Sequence, residues 1–221
     1  MGFGDKIETI RNHQNEICTI ISTGVNRQYP TIQRLYNMKN KTEDDNQQLF
    51  TTFCSFYGVR FKNQLNINNL RDLLIQGPRN QNAVPSLRDA IEDISLEKIE
   101  FSFATKVRHT INNNHLIFDS HVSNFFNGIK VIGNSGEEKI QSAEDIYSQL
   151  ESFYAARRQN GLAELIDIFD AHFPDAKFSD VKKLDFMIWG WGKWTKSQKK
   201  QQKRGKTFRK SRLKDRGKPK A

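Results

Sequence analysis

Apolar side chains recur at spacings of three and four along almost the whole chain, and no stretch alternates as a strand does or carries a convincing Asn-Gly hairpin. Ile10, Ile17, Ile20 and Ile21 share one face of a first helix. A second is opened by Pro30 and Thr31 and carries Ile32, Leu35 and Tyr36. Leu49, Phe50, Phe53, Cys54 and Tyr57 mark an aromatic third helix ending near Gly58, and Ile67, Leu70, Leu73 and Leu74 a fourth, stopped by Gly77-Pro78. Ser86 caps a helix that turns Leu87, Ala90, Ile91 and Ile94 inward. After two further helices, residues Val131 to Glu138 read as a Gly- and Asn-bearing loop. Helices through Ile146, Leu150, Phe153 and Tyr154, and through Leu165, Ile166, Phe169 and Phe173, end at Pro174. A last one buries Val181, Leu184, Ile188 and Trp191. The pattern predicts an all-α bundle of about eight to ten helices, and 221 residues with sixteen phenylalanines suffice for one packed core.

The charge is divided unevenly. From Lys193 to Ala221 there are fourteen Lys/Arg and one acid, a net +13, whereas the other 192 residues hold 21 basic and 24 acidic side chains, a net −3. Basicity is therefore a property of the tail, and a polyanion is its natural partner, because neutralising phosphates releases counterions. Apolar residues nearly vanish from Thr195 onward. The reading divides the chain into an all-α domain, 1–194, and a basic tail, 195–221, disordered until it meets nucleic acid. Lys193, Lys199, Lys200, Lys203, Arg204, Lys206, Arg209 and Lys210 are its expected phosphate contacts. No window approaches eighteen consecutive apolar residues, and the N-terminus suits neither secretion nor myristoylation, since Lys6 stands where Ser or Thr is needed. Cys18 and Cys54 are too few for a disulfide framework or zinc site, and they read as buried free thiols. His109, His115 and His121 recur every six residues, a spacing that fits neither a helical metal pair nor a finger. The expectation is a monomer of the cytoplasm (nuclear in a eukaryote), without metal or cofactor and without a membrane partner.

The segment Phe103 to Phe126 carries the chemistry. Val107 and Ile111 make Phe101 to Ile111 a buried helix, which by local pattern alone leaves Lys106 on a solvated flank. Asp119 is a good N-cap for the helix bearing Val122, Phe125 and Phe126. Trp189, Trp191 and Trp194 read as core with one exposed ring, or as a base-stacking platform, and Phe53, Phe56 and Tyr57 as core.

Ala-Thr-Lys-Val (104–107), Phe-Asp-Ser-His-Val (118–122) and Leu184 to Lys193, LDFMIWGWGK, together resemble the helix-hairpin-helix superfamily of DNA glycosylases, closest to its bacterial 8-oxoguanine glycosylase-like branch. Lys106, His109, Asp119, Ser120 and Val122 fit that pattern, over roughly residues 45–193. The resemblance implies that Lys106 attacks C1′ of a flipped nucleotide and that Asp119 stabilises the cationic sugar, with or without strand cleavage. It implies duplex DNA with a modified base as substrate, in base repair or in defence against modified foreign DNA. His109, Ser120 and His121 are expected contacts to phosphate or base. The chain departs from the pattern before Lys106, where SLEKIEFSFATK has no glycine or proline, so the phosphate-binding hairpin is remodelled or weakened. It also separates Lys106 from Asp119 by only 13 residues. A non-catalytic helical DNA- or RNA-binding protein is the alternative.

Overall fold

The computed structural model describes residues 1–59, 64–76, 84–95 and 100–216, with side chains at 64–65 and from 203 onward left aside. Among the described residues every regular element is helical. The order is α1 (Phe3–Asn12), α2 (Gln14–Thr23), a π-helical turn (Gly24–Gln28), α3 (Tyr29–Asn37), α4 (Glu43–Tyr57), α5 (Gln64–Gln76), α6 (Leu87–Ile94), α7 (Phe101–Ile111), α8 (Ser120–Phe125), α9 (Gly136–Ala155), α10 (Leu162–His172) and α11 (Asp180–Arg216). No described helix is long and apolar enough to cross a membrane. The stop expected at Gly77-Pro78, part of the expected remodelled hairpin, and residues 217–221 lie outside the described residues.

Local chemistry sets most boundaries. Thr42 and Asp45 form a reciprocal capping box at the start of α4, and Gly58 ends it in the left-handed conformation (φ 64°) that costs glycine least. Ser86 Oγ accepts the Asp89 N–H at 3.0 Å, and Leu87, Ala90, Ile91 and Ile94 all turn inward from α6. Ser135 and Glu138 build a second capping box, so the loop expected through Glu138 gives way to α9 at Gly136. The single first helix read from Ile10 to Ile21 is instead two, because His13 (φ −123°, ψ 25°) leaves the helical region between α1 and α2. Pro30 falls in the first turn of α3, just after the π turn. Its missing N–H cannot bond the carbonyl four residues back, and a widened turn accommodates that loss.

The long helix α11 is the spine of the bundle and packs on α2, α8 and α10. Its glycines make this possible. A β-carbon at Gly190 would lie 2.7 Å from Ile21 Cγ2 and 2.8 Å from Ile17 Cγ2, so α2 meets bare backbone there. Tyr29, Phe53, Phe125, Phe169 and Phe186 are among the fully buried side chains at the centre. Of the cysteines, Cys18 is buried and Cys54 half-buried, both free thiols. The basic segment from Thr195 continues α11 as helix to Arg216. Its Lys, Arg and Gln residues favour helix intrinsically, without needing an apolar face.

Candidate active site

Four parts of the chain converge on one cleft: the end of α4 (Phe56, Tyr57), α7 (Lys106), the α7–α8 connection (Ile117, Asp119) and α11 (Asp185, Phe186, Trp189). Lys106 and Asp119 thus share one cavity. Its open space is about 30 Å³, room for one water. A larger depression of about 420 Å³ lies elsewhere, between Asn114, Tyr154, Arg157 and Asp180, and includes neither residue.

Lys106 is only 5% exposed, which corrects its expected place on a solvated flank. Helix α7 is buried over nearly its whole circumference, because α3, α5 and α6 all pack on it. The Lys106 amine donates to Ser102 Oγ at 3.1 Å and sits 5.0 Å from the Phe103 ring centroid and 5.5 Å from that of Tyr57. Burial lowers its pKa; Asp119 and Asp185 push it back up, and Lys182 adds to the lowering.

Asp119 caps α8 as its sequence context implied: Oδ1 accepts the N–H groups of His121 at 2.7 Å and Val122 at 3.0 Å. Its position relative to Lys106 is fixed one residue away on each side. Thr105 Oγ1 accepts the Phe118 N–H at 3.0 Å, tying the neighbour of Asp119 to the neighbour of Lys106. The rings of Phe101 and Phe118 stack at 4.7 Å, and Tyr147 Oη accepts the Leu116 N–H at 2.8 Å. At the other end of α8 a buried lysine, Lys6, donates to Phe125 O (2.7 Å), Asn124 O (3.1 Å) and Asn127 Oδ1 (2.7 Å). Cation and carboxylate therefore flank a six-residue helix at the ends that its dipole favours.

Asp185 and Lys182 were not singled out from the sequence. Lys182 is wholly buried, its Nζ 2.8 Å from Asp185 Oδ2. Burial raises the Asp185 carboxyl pKa and lowers that of Lys182, while the charge of each opposes the shift of the other. The signal was present as periodicity: 182, 185, 186 and 189 form one stripe of α11, with two charges where a core stripe would be apolar throughout. The stripe runs on through Lys193, Lys196 and Lys200, all exposed. Lys193 Nζ lies 5.0 Å from the Trp189 ring, and both Lys193 and Lys196 act electrostatically on His121.

The expected contacts separate. Ser120 is exposed beside Asp119, and Lys193, Lys199 and Lys200 are exposed on α11. Side chains of Lys203, Arg204, Lys206, Arg209 and Lys210 lie outside the described residues. His109 is a correction: at 0% exposure it cannot reach a phosphate. Its Nδ1 lies 2.6 Å from His115 O and its Nε2 3.0 Å from Tyr29 Oη, a neutral ring holding α3, α7 and the following loop together. His121 is also buried, its ring against Gly192 and 6.4 Å from that of Trp189. Of the tryptophans, Trp189 lines the cleft, Trp191 packs edge-on against Phe125, and Trp194 stacks on His13 at 4.3 Å. Phe53 is core as expected, whereas Phe56 and Tyr57 are cleft walls. Among the described residues no group of three or more His, Cys, Asp or Glu side chains converges as a metal site would.

Comparison with known proteins gives no match: no family model, no curated protein and no solved structure matches this chain.

Proposed function

We propose that the chain is a DNA glycosylase of the helix-hairpin-helix kind, excising a damaged or modified base by attack at C1′. One observation carries the reading: a buried lysine with a lowered pKa and a capping aspartate line the same aromatic-walled cavity. The neutral Lys106 amine attacks C1′, the N-glycosidic bond breaks, and its electron pair leaves with the base, which takes up a proton. The adduct then loses a proton from nitrogen and the C1′–O4′ bond breaks, O4′ taking up a proton, to give an imine; loss of a proton from C2′ can then expel the 3′ phosphate by β-elimination. Asp119, held by two backbone N–H groups, stabilises the positive charge growing on the sugar. A flipped base needs more room than the cleft's about 30 Å³, so its entry requires Phe56, Tyr57, Phe186 and Trp189 to part and offer it their faces. The basic continuation of α11 tracks the backbone. A monomer acting on chromosomal or invading DNA, in repair or in defence, fits this arrangement.

The contrasting reading, a non-catalytic DNA- or RNA-binding protein, draws on the same basic helix. Incubation with duplexes carrying single oxidised or alkylated bases separates the two. Release of a free base, abolished by Asp119→Asn and retained at low salt after removal of residues 195–221, supports the glycosylase. Binding that depends on the tail, with no base released from any duplex, supports the alternative.

A further inference from the structure

A lysine at 0% exposure is costly, and replacing a buried ion pair by apolar groups is often neutral or stabilising. Lys182 is held nonetheless in a complete cage. Its Nζ bonds Asp185 Oδ2 at 2.8 Å and faces the rings of Tyr29 (4.2 Å), Phe186 (4.5 Å), Phe56 (5.2 Å) and Tyr57 (5.5 Å). Four of its neighbours, Asp185, Phe186, Phe56 and Tyr57, also wall the cleft. Lys182 itself does not line the cleft, so it is no second nucleophile.

We propose that Lys182 is a positioning residue for the cleft: it engages Asp185, so that Asp185 does not capture the Lys106 amine and Asp119 remains the anion that amine and substrate meet.

The charged groups around this centre come from every element packed on it. Lys106 and His109 belong to α7, Asp119 caps α8, which carries His121, Asp185 shares α11, and the phenols of Tyr29, Tyr57 and Tyr154 approach from α3, α4 and α9. Two amines, Lys106 and Lys182, thus face two carboxyl groups, Asp119 and Asp185, around one centre. Take Lys182 away and one buried carboxylate loses its partner. Asp185 already acts on Lys106 electrostatically, in the direction that holds the proton on the amine, whereas Lys182 acts in the opposite direction. Without Lys182 both changes favour a protonated Lys106, which is no nucleophile.

The test follows the Lys106 side chain by its 13Cε chemical shift across a pH titration of the labelled full chain, with Lys106→Arg to assign the signal. Lys182→Gln keeps a hydrogen-bond donor for Asp185 and removes the charge. It is expected to raise the Lys106 midpoint by about one pH unit or more, equivalent to about a tenfold loss of free amine at a fixed lower pH. The double variant Lys182→Gln/Asp185→Asn removes the pair together and should return the midpoint to within about half a unit of the wild type. A folded Lys182→Gln with an unmoved midpoint overturns the proposal. Should that variant not fold, a double variant displaced by more than about half a unit in either direction overturns it as well. The interpretation of the cleft as catalytic rests on the glycosylase reading, but the titration does not. An unchanged midpoint with base release intact sinks only this inference, and a shifted midpoint with no base released by the wild type sinks only the glycosylase.

Discussion

The imidazole of His121 rests on the bare backbone of Gly192: a β-carbon there would stand 2.0 Å from Nδ1 and 2.8 Å from Cγ. This contact seats α8, and with it the Asp119 cap, against α11. Gly192→Ala must displace the ring or part the helices. An overpacked site of this kind costs about 1–3 kcal/mol. Thermal melting should show that loss, and His121→Ala in the same chain should recover part of it. A Gly192→Ala protein as stable as the wild type would mean that α8 does not depend on this seat.

Thr105 offers a finer probe of the same geometry. Replacing it by valine keeps the shape but leaves the Phe118 N–H without its acceptor, at a cost of about 1–3 kcal/mol. Thr105→Ser should retain most of the stability. Urea denaturation of the two variants checks this. Base release by Thr105→Val should fall further than its stability at working temperature explains, because Asp119 is released from its register with Lys106.

Lys6 should matter through α8 alone. Lys6→Met removes two hydrogen bonds to the last carbonyls of α8 and one to the Asn127 side chain beyond it, and a hydrogen bond involving a charged group contributes about 1.5–3 kcal/mol. Hydrogen exchange should speed up in residues 120–127 while amides of α9 and α10 stay protected. Uniform acceleration across the chain would show instead that Lys6 supports the global fold.

What could be read from the sequence was local. The span of α7 follows from Val107 and Ile111 with their flanking phenylalanines, and the Asp119 cap from its place before Val122 and Phe125. A cap is decided by residues two and three positions away, so the linear chain contains the answer. Lys182 and Asp185 were hidden for the opposite reason. Spacing sets them on one stripe of α11 with Phe186 and Trp189, but their burial depends on residues of α3, α4 and α7 reaching that face, which the stripe alone does not show. His109 misled in the same way: its position beside the candidate lysine suggested a contact, but on the helix it points toward Tyr29. The Trp-Gly-Trp-Gly run drew attention to its tryptophans, whereas its glycines set how closely α2 and α8 approach.

His109 also gives the fold a predictable acid sensitivity. Burial, then the charge of Lys182, holds its pKa well below the usual histidine range. The unfolded chain takes up a proton near pH 6.5 that the folded chain refuses, so stability present above that pH is lost as pH falls through it. The slope for one such group is about 1.4 kcal/mol per pH unit. His115 and His121, both lowered by burial, act in the same direction. His109→Gln should be less stable at pH 7.5 yet lose less on acidification to pH 5.5. Equal losses in denaturation curves at the two pH values would show that His109 is protonated in the folded state.

The most direct measurement is covalent capture. Duplex DNA bearing a base that the protein releases, or an abasic site, is incubated with it under borohydride, and the adduct is digested and mapped by mass spectrometry. The account predicts a single reduced linkage on the peptide containing Lys106, lost in Lys106→Gln. The rate of capture should rise with pH toward a midpoint below the ordinary lysine value, because burial lowers it. An adduct on a lysine of the basic segment, or base release undiminished in Lys106→Gln and Asp119→Asn, would contradict it.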